Sequence, residues 1–473
     1  MRLSSPRFGL ALLLSATLSA CSVVVKDVPT PVALPDKFSA SGQQKVAEQW
    51  WLAFNDPALN KLISQALSDN FTLRATFNRL EQAQAIAKKS GAELIPLLNN
   101  NNSVLQRNSA QTTSQGNTVQ STINTFALGF AASYEIDLWG RIRSNIHASE
   151  LDVKAAEEDL SSAAISLSAE IASTWYKLLE QEQQLKLLDQ QITINQNNVS
   201  MVTTRFRLAQ ATAADVFQQT QLLQSAIGNR LTVIANINVF KNQLAVLVGK
   251  APGTIPLAES TPLPNLPSLP DTGLSADLIN KRPDLRRAYF RVQASDQRIA
   301  SAIADRLPKL SLSASIDTNA PDLQSLFNNW LATIAGNLVT PIIDGGRRVA
   351  EVERNQAVSA EALNNYATTL LNASKEVENA LIQEHQQNQF LSNLDEQVRL
   401  AQLATAQIQS RYVNGAIDFL RLLTAQLSQQ NLERNRLSAQ QQLIDYRINL
   451  YRALSGGFPL NYPVTTDKTS TNG

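Results

Sequence analysis

Few residues in this chain are of the types that perform acid–base, nucleophilic or metal chemistry. Its two histidines, His147 and His385, lie far apart in stretches rich in Gln, Glu and Asn, and neither has a metal-ligand spacing such as H-x-x-x-H. The sequence contains no G-x-S-x-G motif, phosphate-binding loop or dinucleotide fingerprint. We therefore expect both histidines on helix surfaces, and a protein that is not an enzyme and holds neither a cofactor nor a metal.

Cys21 is the only cysteine, and the chemistry that its position suggests is lipidation. A basic start, an apolar run over 8–18 and the small residues of "LSAC" are typical of an export signal over residues 1–20. The motif resembles a bacterial lipobox, whose cleavage would leave an N-terminal thiol for attachment of a lipid. Similar lipoproteins with Asp in the next position tend to stay at the inner membrane, so this resemblance implies that Ser22 favours the outer membrane. The alternative is a buried free cysteine after the signal, which suits an exported protein poorly.

The charge balance argues against nucleic acid as a partner. The chain has 41 basic and 40 acidic residues, so it has no basic surplus to hold phosphates. Charged residues make up only 17% of the chain, against a usual value of about 25%. Most of the polar residues are the uncharged Gln, Asn, Ser and Thr, which suit a protein wall that contacts water on both of its faces.

The chain contains an internal repeat. The stretch "YEIDLWGRIRS" at 134–144 returns as "TPIIDGGRRVA" at 340–350, and four further pairs of stretches match in the same order. This order predicts a duplication with a proline-rich connector between the copies. The predicted layout is a signal peptide at 1–20, a lipidated segment at 21–56, a first repeat at 57–249, a connector at 250–274, a second repeat at 275–457 and a tail at 458–473.

Short stretches in each repeat alternate between apolar and small or polar residues, which is the period of a β-strand. They predict strands at about 97–109 and 122–137 in the first repeat and at about 308–317 and 330–343 in the second. An outer-membrane β-barrel uses this alternation, with the apolar side facing lipid, whereas a soluble sandwich would need a second sheet. Since four strands cannot close a barrel, a water-filled channel would need about twelve or sixteen strands from three or four copies.

Long helices follow the strands. From Arg141 to about residue 208 nothing breaks the helical pattern, and apolar residues recur at every seventh position. They are Ile171, Leu178, Leu185, Ile192, Val199 and Phe206. A heptad of this kind predicts a coiled coil about 100 Å long, which we expect to project into the periplasm. Shorter helices are predicted at about 70–94, 212–249, 283–306 and 418–455.

These features together resemble the TolC-like outer-membrane efflux lipoproteins of the NodT type. The resemblance rests on "WWLAFNDPALNKLISQALSDNFTLR", on "KRPDLRRAYFRVQASDQRIASAIADRLPKLSLSAS", on both Asp/Gly-Arg stretches and on the lipobox. It implies a mixed α and β fold: a trimeric, twelve-stranded transmembrane β-barrel with four strands per chain, continued by an α-helical periplasmic barrel of coiled coils. It also implies a passive exit duct for drugs or other small molecules in a Gram-negative outer membrane. The implied partners are outer-membrane lipid, a periplasmic adaptor and an inner-membrane transporter of the RND type.

The repeated Asp/Gly-Arg stretches predict the joints between barrel and tunnel, where glycine allows a tight turn. The joint residues are Asp137, Gly140, Arg141, Asp344, Gly345, Gly346 and Arg347. The resemblance implies a periplasmic tip and adaptor-docking site at Arg205, Phe206, Ala209, Arg411, Tyr412 and Gly415, and a gate at Asp215, Tyr412, Arg421 and Thr424.

Two details of the tip depart from the resembled pattern. Because Ala209 stands where the other tip has Gly415, we expect no need for a left-handed residue at position 209. Arg421 and Thr424 stand where similar channels carry an aspartate ring, which argues against a cation-binding constriction. Two alternative functions stay open, namely an exit duct for type I secretion and a coiled-coil structural lipoprotein of the outer membrane.

Overall fold

The computed structural model describes residues 32–112, 114–254 and 261–458. The predicted signal peptide and Cys21 lie outside these residues. The chain divides into two compact units. Among the described residues, the first unit contains Arg79–Glu157 and Arg287–Ala367, and the second contains Val32–Asn78, Glu158–Arg286 and residues from Thr368 onward.

The elements alternate between helices and strand pairs in the order that the duplication predicts. The helices are α1 (Pro57–Asp69), α2 (Phe71–Gly91), α3 (Arg141–Arg207), α4 (Ala213–Leu247), α5 (Asp277–Lys281), α6 (Pro283–Ala304), α7 (Arg347–Val413) and α8 (Phe419–Leu454), with short 3-10 turns at Trp50–Phe54 and Ala92–Leu94. The strands are β1 (Leu97–Thr112), β2 (Thr118–Ile136), β3 (Lys309–Ala320) and β4 (Trp330–Val339). The mixed α and β fold with four strands is therefore confirmed.

The four strands form one antiparallel sheet in the order β1-β2-β3-β4. Its register places Phe130 opposite Ile316 and Tyr134 opposite Leu312 on one face. Gly129 opposite Asp317 lies on the other face, where small and polar residues predominate. The period of two seen in the sequence thus becomes a two-faced sheet.

The bounds of the strands differ somewhat from the expected ones. β4 ends at Val339 rather than at 343, because Pro341 has no N–H to donate to a ladder. β2 begins at Thr118 rather than at about 122, because residues 118–125 pair with β1 in a long hairpin that extends beyond the end of β3.

α3 and α7 each contain 67 residues, which corresponds to about 100 Å of helix. Both are far longer than the helices of most globular domains. Among the described residues, no helix is long and apolar enough to cross a membrane.

The buried face of α3 only partly follows the predicted apolar heptad. Ile171 and Leu178 are buried, but Leu185, Ile192 and Val199 are half-exposed and Phe206 is 46% exposed. Beyond position 180, Glu182 is buried, and so is one row of residues formed by Gln184, Leu188, Gln191, Asn195, Asn198 and Val202. They also follow a heptad, but most of them carry amides. A search for apolar periodicity therefore selects the wrong side of this part of the helix.

An aromatic cluster forms part of the core of the second unit. Trp50 stacks on Tyr451 with ring centroids 5.7 Å apart, and Phe54 packs against both Tyr451 and Tyr176. Asp56 caps the start of α1 through the amides of Ala58 and Leu59. This packing fixes the segment before α1 against α3 and α8.

Candidate functional site

The first joint between strand and helix is built around Asp137. Gly140 has a φ of +76°, a left-handed conformation that allows the chain to turn from β2 into α3. The Asp137 carboxylate accepts hydrogen bonds from the amides of Ile142 (3.1 Å) and Arg143 (2.9 Å) at the start of α3. Arg143 Nε also donates to it, at 3.2 Å. Asp137 therefore caps the helix and pairs with a cation.

These hydrogen bonds alter the acidity of Asp137. Burial of the carboxyl would raise its pKa, but the amides of Arg143 and Ile142 and the Arg143 guanidinium together lower that pKa below its ordinary value. Arg141, the predicted joint arginine, binds elsewhere. Its guanidinium donates to both oxygens of Glu135 in β2, at 3.0 Å each, and so ties the helix back to the sheet.

The second joint repeats this arrangement with different spacing. Gly345 and Gly346 have φ values of +67° and +83°. The Asp344 carboxylate accepts hydrogen bonds from the Gly346 amide (3.1 Å), the Arg348 amide (3.3 Å) and Arg348 Nη1 (3.0 Å). Arg348 also bonds to Asp305, at 3.0 Å, whereas the predicted Arg347 is exposed.

Sequence reasoning missed Arg143, Arg348 and Asp305. The sequence does contain a signal for the two arginines, because a second arginine follows each Gly-Arg. Alignment of the two repeats does not match these arginines, since Arg143 is two residues after Arg141 whereas Arg348 directly follows Arg347.

Each long helix ends in the same hydrogen-bonded turn. The amide of Gln210 donates to the Arg205 carbonyl (2.8 Å) and that of Ala209 to the Phe206 carbonyl (3.0 Å). Ala416 and Gly415 make the equivalent bonds to Arg411 and Tyr412, at 2.9 and 3.0 Å. Both turns are Schellman motifs, which require a left-handed residue at their fifth position.

Ala209 adopts that left-handed conformation, with a φ of +55°, and Gly415 does so with a φ of +73°. The expectation that position 209 does not need a left-handed residue is therefore wrong. The hydrogen bonds of the turn hold an alanine in a conformation that glycine adopts more easily.

Arg205 connects the two tip turns. Its Nη2 donates to the Val413 carbonyl at 2.7 Å, and its guanidinium lies 4.5 Å from the centroid of the Tyr412 ring. Tyr412 is only 4% exposed and belongs to an apolar cluster. That cluster consists of Val202, Leu222, Tyr412, Phe419, Leu422 and Leu423. Burial raises the pKa of the Tyr412 hydroxyl, and the charge of Arg205 opposes that rise.

The other predicted gate residues have local roles in the described chain. The Asp215 carboxylate accepts a hydrogen bond from the Thr212 amide (2.8 Å), and the Thr212 hydroxyl accepts one from the Asp215 amide (3.2 Å), which together form a capping box. Within the described residues, the buried Tyr412 hydroxyl has no hydrogen-bond partner. Asp215 and Tyr412 are thus not hydrogen-bonded to each other within one chain. Arg421 and Thr424 are exposed in the first turns of α8.

The amide-rich residues of α3 form a polar seam with α8, which we define by Gln191, Asn195 and Asn198 on α3 and Gln426 and Gln430 on α8. Asn198 donates to Gln426 at 3.1 Å, and Gln430 donates to Asn195 at 3.1 Å. Gln191 donates to the Gln430 carbonyl at 3.3 Å. All five side chains are buried, so the seam is held by paired amides rather than by apolar side chains.

The histidines have simple surroundings. His147 lies 3.0 Å from Glu150 and His385 lies 3.1 Å from Gln389, each on its own helix surface. The described part of the chain contains no group of three or more His, Cys, Asp or Glu side chains that could hold a metal.

Comparisons with a family profile, with related sequences and with solved structures agree with one another. The sequence profile of the family described as "Outer membrane efflux protein" matches residues 62–250 and 274–456, in keeping with the duplication. The pyoverdine export outer membrane protein OpmQ of Pseudomonas aeruginosa is 28% identical over 93% of this chain and 95% of its own length. The cation efflux system protein CusC of Escherichia coli is 26% identical over 96% of this chain and all of its own length.

Solved structures agree with these relatives. The outer-membrane channel OprN superposes with a TM-score of 0.84 at 26% identity and covers 92% of this chain and 99% of its own. A structure of CusC gives a TM-score of 0.81 at 25% identity and covers 92% of this chain and all of its own. The efflux function and the TolC-like fold expected from the sequence are confirmed, and the chain belongs to the outer membrane efflux protein family.

Proposed function

We propose that this channel is the passive exit duct of a tripartite efflux system, fed by an inner-membrane transporter and a periplasmic adaptor. The observation that carries the proposal is the sheet. Its apolar face is largely exposed, and no other strand of the described residues pairs with the outer edges of β1 and β4. In lipid, such edges would leave backbone groups unpaired at several kcal/mol each.

Three copies would remove those edges. If β4 of one copy pairs with β1 of the next, twelve antiparallel strands close into a barrel, with the strand direction alternating throughout. Two residues beyond β4 favour such a neighbour, because Ile342 and Ile343 are 87% and 94% exposed in the single chain. Side chains of this kind require lipid or a second copy as a cover.

The opposite face of the sheet suits a lumen. Besides the acidic Asp317 and Glu135, it presents small side chains such as Gly129, Ser133 and Ser313, which offer no shaped binding site. Selectivity would then reside in the transporter. Similar proteins favour this, since relatives that are 26–28% identical to this chain are named for pyoverdine export, cation efflux and toluene efflux.

Deletion and exchange experiments test the exit-duct proposal. Loss of the chain should sensitise the cell to the same compounds as loss of its transporter, and removal of the transporter should change the spectrum far more than any substitution on the lumen face. A substitution at Ser313 or Ser133 that exchanged one substrate for another would contradict a passive duct.

The lipid anchor is part of the proposal. Residues 1–20 would be removed, and Cys21 would carry a diacylglyceryl thioether and an acylated amine on the periplasmic side. Mass spectrometry of the mature N-terminus tests this directly, because an unmodified N-terminus at another residue would refute it. Cys21→Ser should still assemble, since the barrel alone would hold the protein in the membrane.

The tip turns would form the adaptor-docking end and the gate. Phe206 and Leu208 are 46% and 62% exposed beside the first turn, as a docking surface requires. A latch between Asp215 and Tyr412 would have to form between copies, because the two side chains are not hydrogen-bonded within one chain. Arg421 and Thr424 would then line the aperture.

Planar-bilayer recordings test the gate. Asp215→Ala with Tyr412→Phe should raise single-channel conductance, and a cysteine cross-link across the pair should lower it. Thr212→Ala is the matched control, because it removes the capping box without touching the carboxylate. If both the double variant and the cross-linked protein have the same conductance as the wild type, these two residues do not form the gate.

A further inference from the structure

The loop between β3 and β4 folds back over the apolar face of the sheet. The Thr318 hydroxyl donates a hydrogen bond to the Leu326 carbonyl, and Leu326 is only 9% exposed. Asp322 organises the loop, since its carboxylate accepts hydrogen bonds from the Ser325 amide (2.9 Å) and the Ser325 hydroxyl (2.8 Å). The loop is therefore a defined cover rather than an extended connection.

A cavity of about 340 Å³ lies between this loop and the sheet. Its lining residues are Leu128, Phe130, Ile316, Asp317, Thr318, Phe327 and Trp330. Leu128, Thr318 and Trp330 stand in one row across three strands, and Phe130 and Ile316 stand in the next. All five lie on the apolar face, so the cavity opens on the side of the sheet that we assign to lipid.

The cavity lies towards the end of the sheet that is farther from the helices. β2 leads into α3 after Ile136, and β3 begins at Lys309, shortly after α6. Trp330 and Thr318 pair with each other at the ends of β4 and β3 that lie away from the helices. If the helices extend into the periplasm, as the proposed function requires, the cavity faces the outer leaflet.

Several observations indicate what occupies the cavity. A neighbouring copy would pair edge-on with β1 or β4, and would leave the faces of the central strands β2 and β3 to the surrounding lipid. Phe327 and Trp330 are 73% and 68% exposed at its rim, so the chain does not fill it with its own side chains. Residues 310–339 include no Lys or Arg that could hold a phosphate headgroup. The recognition available here is that of a hydrocarbon chain.

We propose that this cavity is a binding site for one acyl chain of an outer-leaflet lipid, with Phe327 and Trp330 as its rim. The inference rests on the proposed membrane orientation of the sheet. It assigns a function to the β3–β4 loop, which would hold a lipid in place beside the channel mouth rather than merely connect two strands.

Quenching of Trp330 fluorescence tests the site. The purified full-length protein in detergent is titrated with a phosphatidylethanolamine that carries bromine on one acyl chain, and the Trp330 signal is taken as the difference between the wild type and Trp330→Phe. We expect quenching that saturates at a low mole fraction of lipid and is reversed by the unbrominated lipid. Phe327→Ala should weaken half-saturation roughly fivefold or more, whereas Leu323→Ala, on the same loop but outside the cavity, should not.

The possible outcomes separate the site from the proposed function. Quenching that rises in proportion to the brominated lipid, and is equal in the wild type and Phe327→Ala, would overturn the site but leave the sheet facing lipid. If Trp330 is not quenched at any lipid fraction, both the site and the proposed orientation are wrong.

Discussion

Ala209 occupies a backbone conformation that costs an L-residue about 1–2 kcal/mol relative to the right-handed region. Ala209→Gly should therefore stabilise the protein, by about 1 kcal/mol, because glycine adopts the left-handed region readily and keeps both hydrogen bonds of the turn. The measurement is the midpoint of loss of helical circular dichroism on heating, with a protease assay at the tip as a local readout.

The second tip supplies the matched control for Ala209. A methyl group at Gly415 would meet no atom within 4 Å, so Gly415→Ala changes only the backbone preference. It should destabilise its turn by a similar amount. A lower midpoint for Ala209→Gly would contradict the left-handed assignment.

Asp137 predicts a pH dependence at the first joint. Its folded pKa is lowered, so its carboxylate contributes stability that is fully present above the ordinary Asp value of about 3.9 and is lost as the pH falls through the folded pKa. Asp137→Asn keeps a capping side chain but removes the charge beside Arg143, and should cost about 1 kcal/mol near neutral pH. The unfolding midpoints of the two proteins should converge as the pH falls through the folded pKa of Asp137, which lies below the ordinary Asp value of about 3.9. A gap that persists in acid would show that the charge of Asp137 is not the cause.

Single residues also show how far the sequence can be interpreted. Asp137, Gly140, Asp344, Gly345 and Gly346 were predicted at the joints, because the Asp/Gly-Arg stretch is repeated and glycine allows the tight turn there. The capping role of the two aspartates was not predicted. Arg143 and Arg348 were not predicted, since the sequence does not fix which of several nearby arginines points back at the carboxylate.

The polar seam joins two helices, α3 and α8, through buried amide side chains. Asn195 and Gln430 are buried and hydrogen-bond to each other. Asn195→Leu alone should destabilise the protein by about 1–3 kcal/mol, because the amide of Gln430 is then buried without its partner. The double variant with Gln430→Leu should recover most of that loss or exceed the wild type, since two apolar side chains can pack together.

A double-mutant cycle on unfolding free energies measures this coupling. Ile194→Leu is a suitable control, because Ile194 is exposed on the same helix next to Asn195. Additive effects of the two substitutions would mean that the amide pair does not hold the seam.

The elements themselves were largely predictable. The lengths of α3 and α7 follow from the absence of helix breakers, and the strands follow from their alternation. The seam was not predictable, because Gln and Asn at heptad positions look like surface residues until the partner helix is known. In this part of α3 the apolar heptad at Leu185, Ile192 and Val199 lies on a half-exposed face instead.

At the scale of the whole molecule, a single chain has a sheet with two open edges, an apolar face exposed to its surroundings and two helices of 67 residues. The open edges and the exposed apolar face are costly for a lone chain in lipid or water, and assembly of several copies would remove both costs. The duplication explains how one chain supplies two strand pairs and two long helices to such an assembly.

A single-particle reconstruction of the full-length protein tests this claim most directly. We predict a threefold particle with a closed barrel of about twelve strands, in which β4 of each copy pairs with β1 of the next, and a helical tube of roughly 100 Å. A monomer, or an assembly in which the edges of β1 and β4 stay unpaired, would contradict the account.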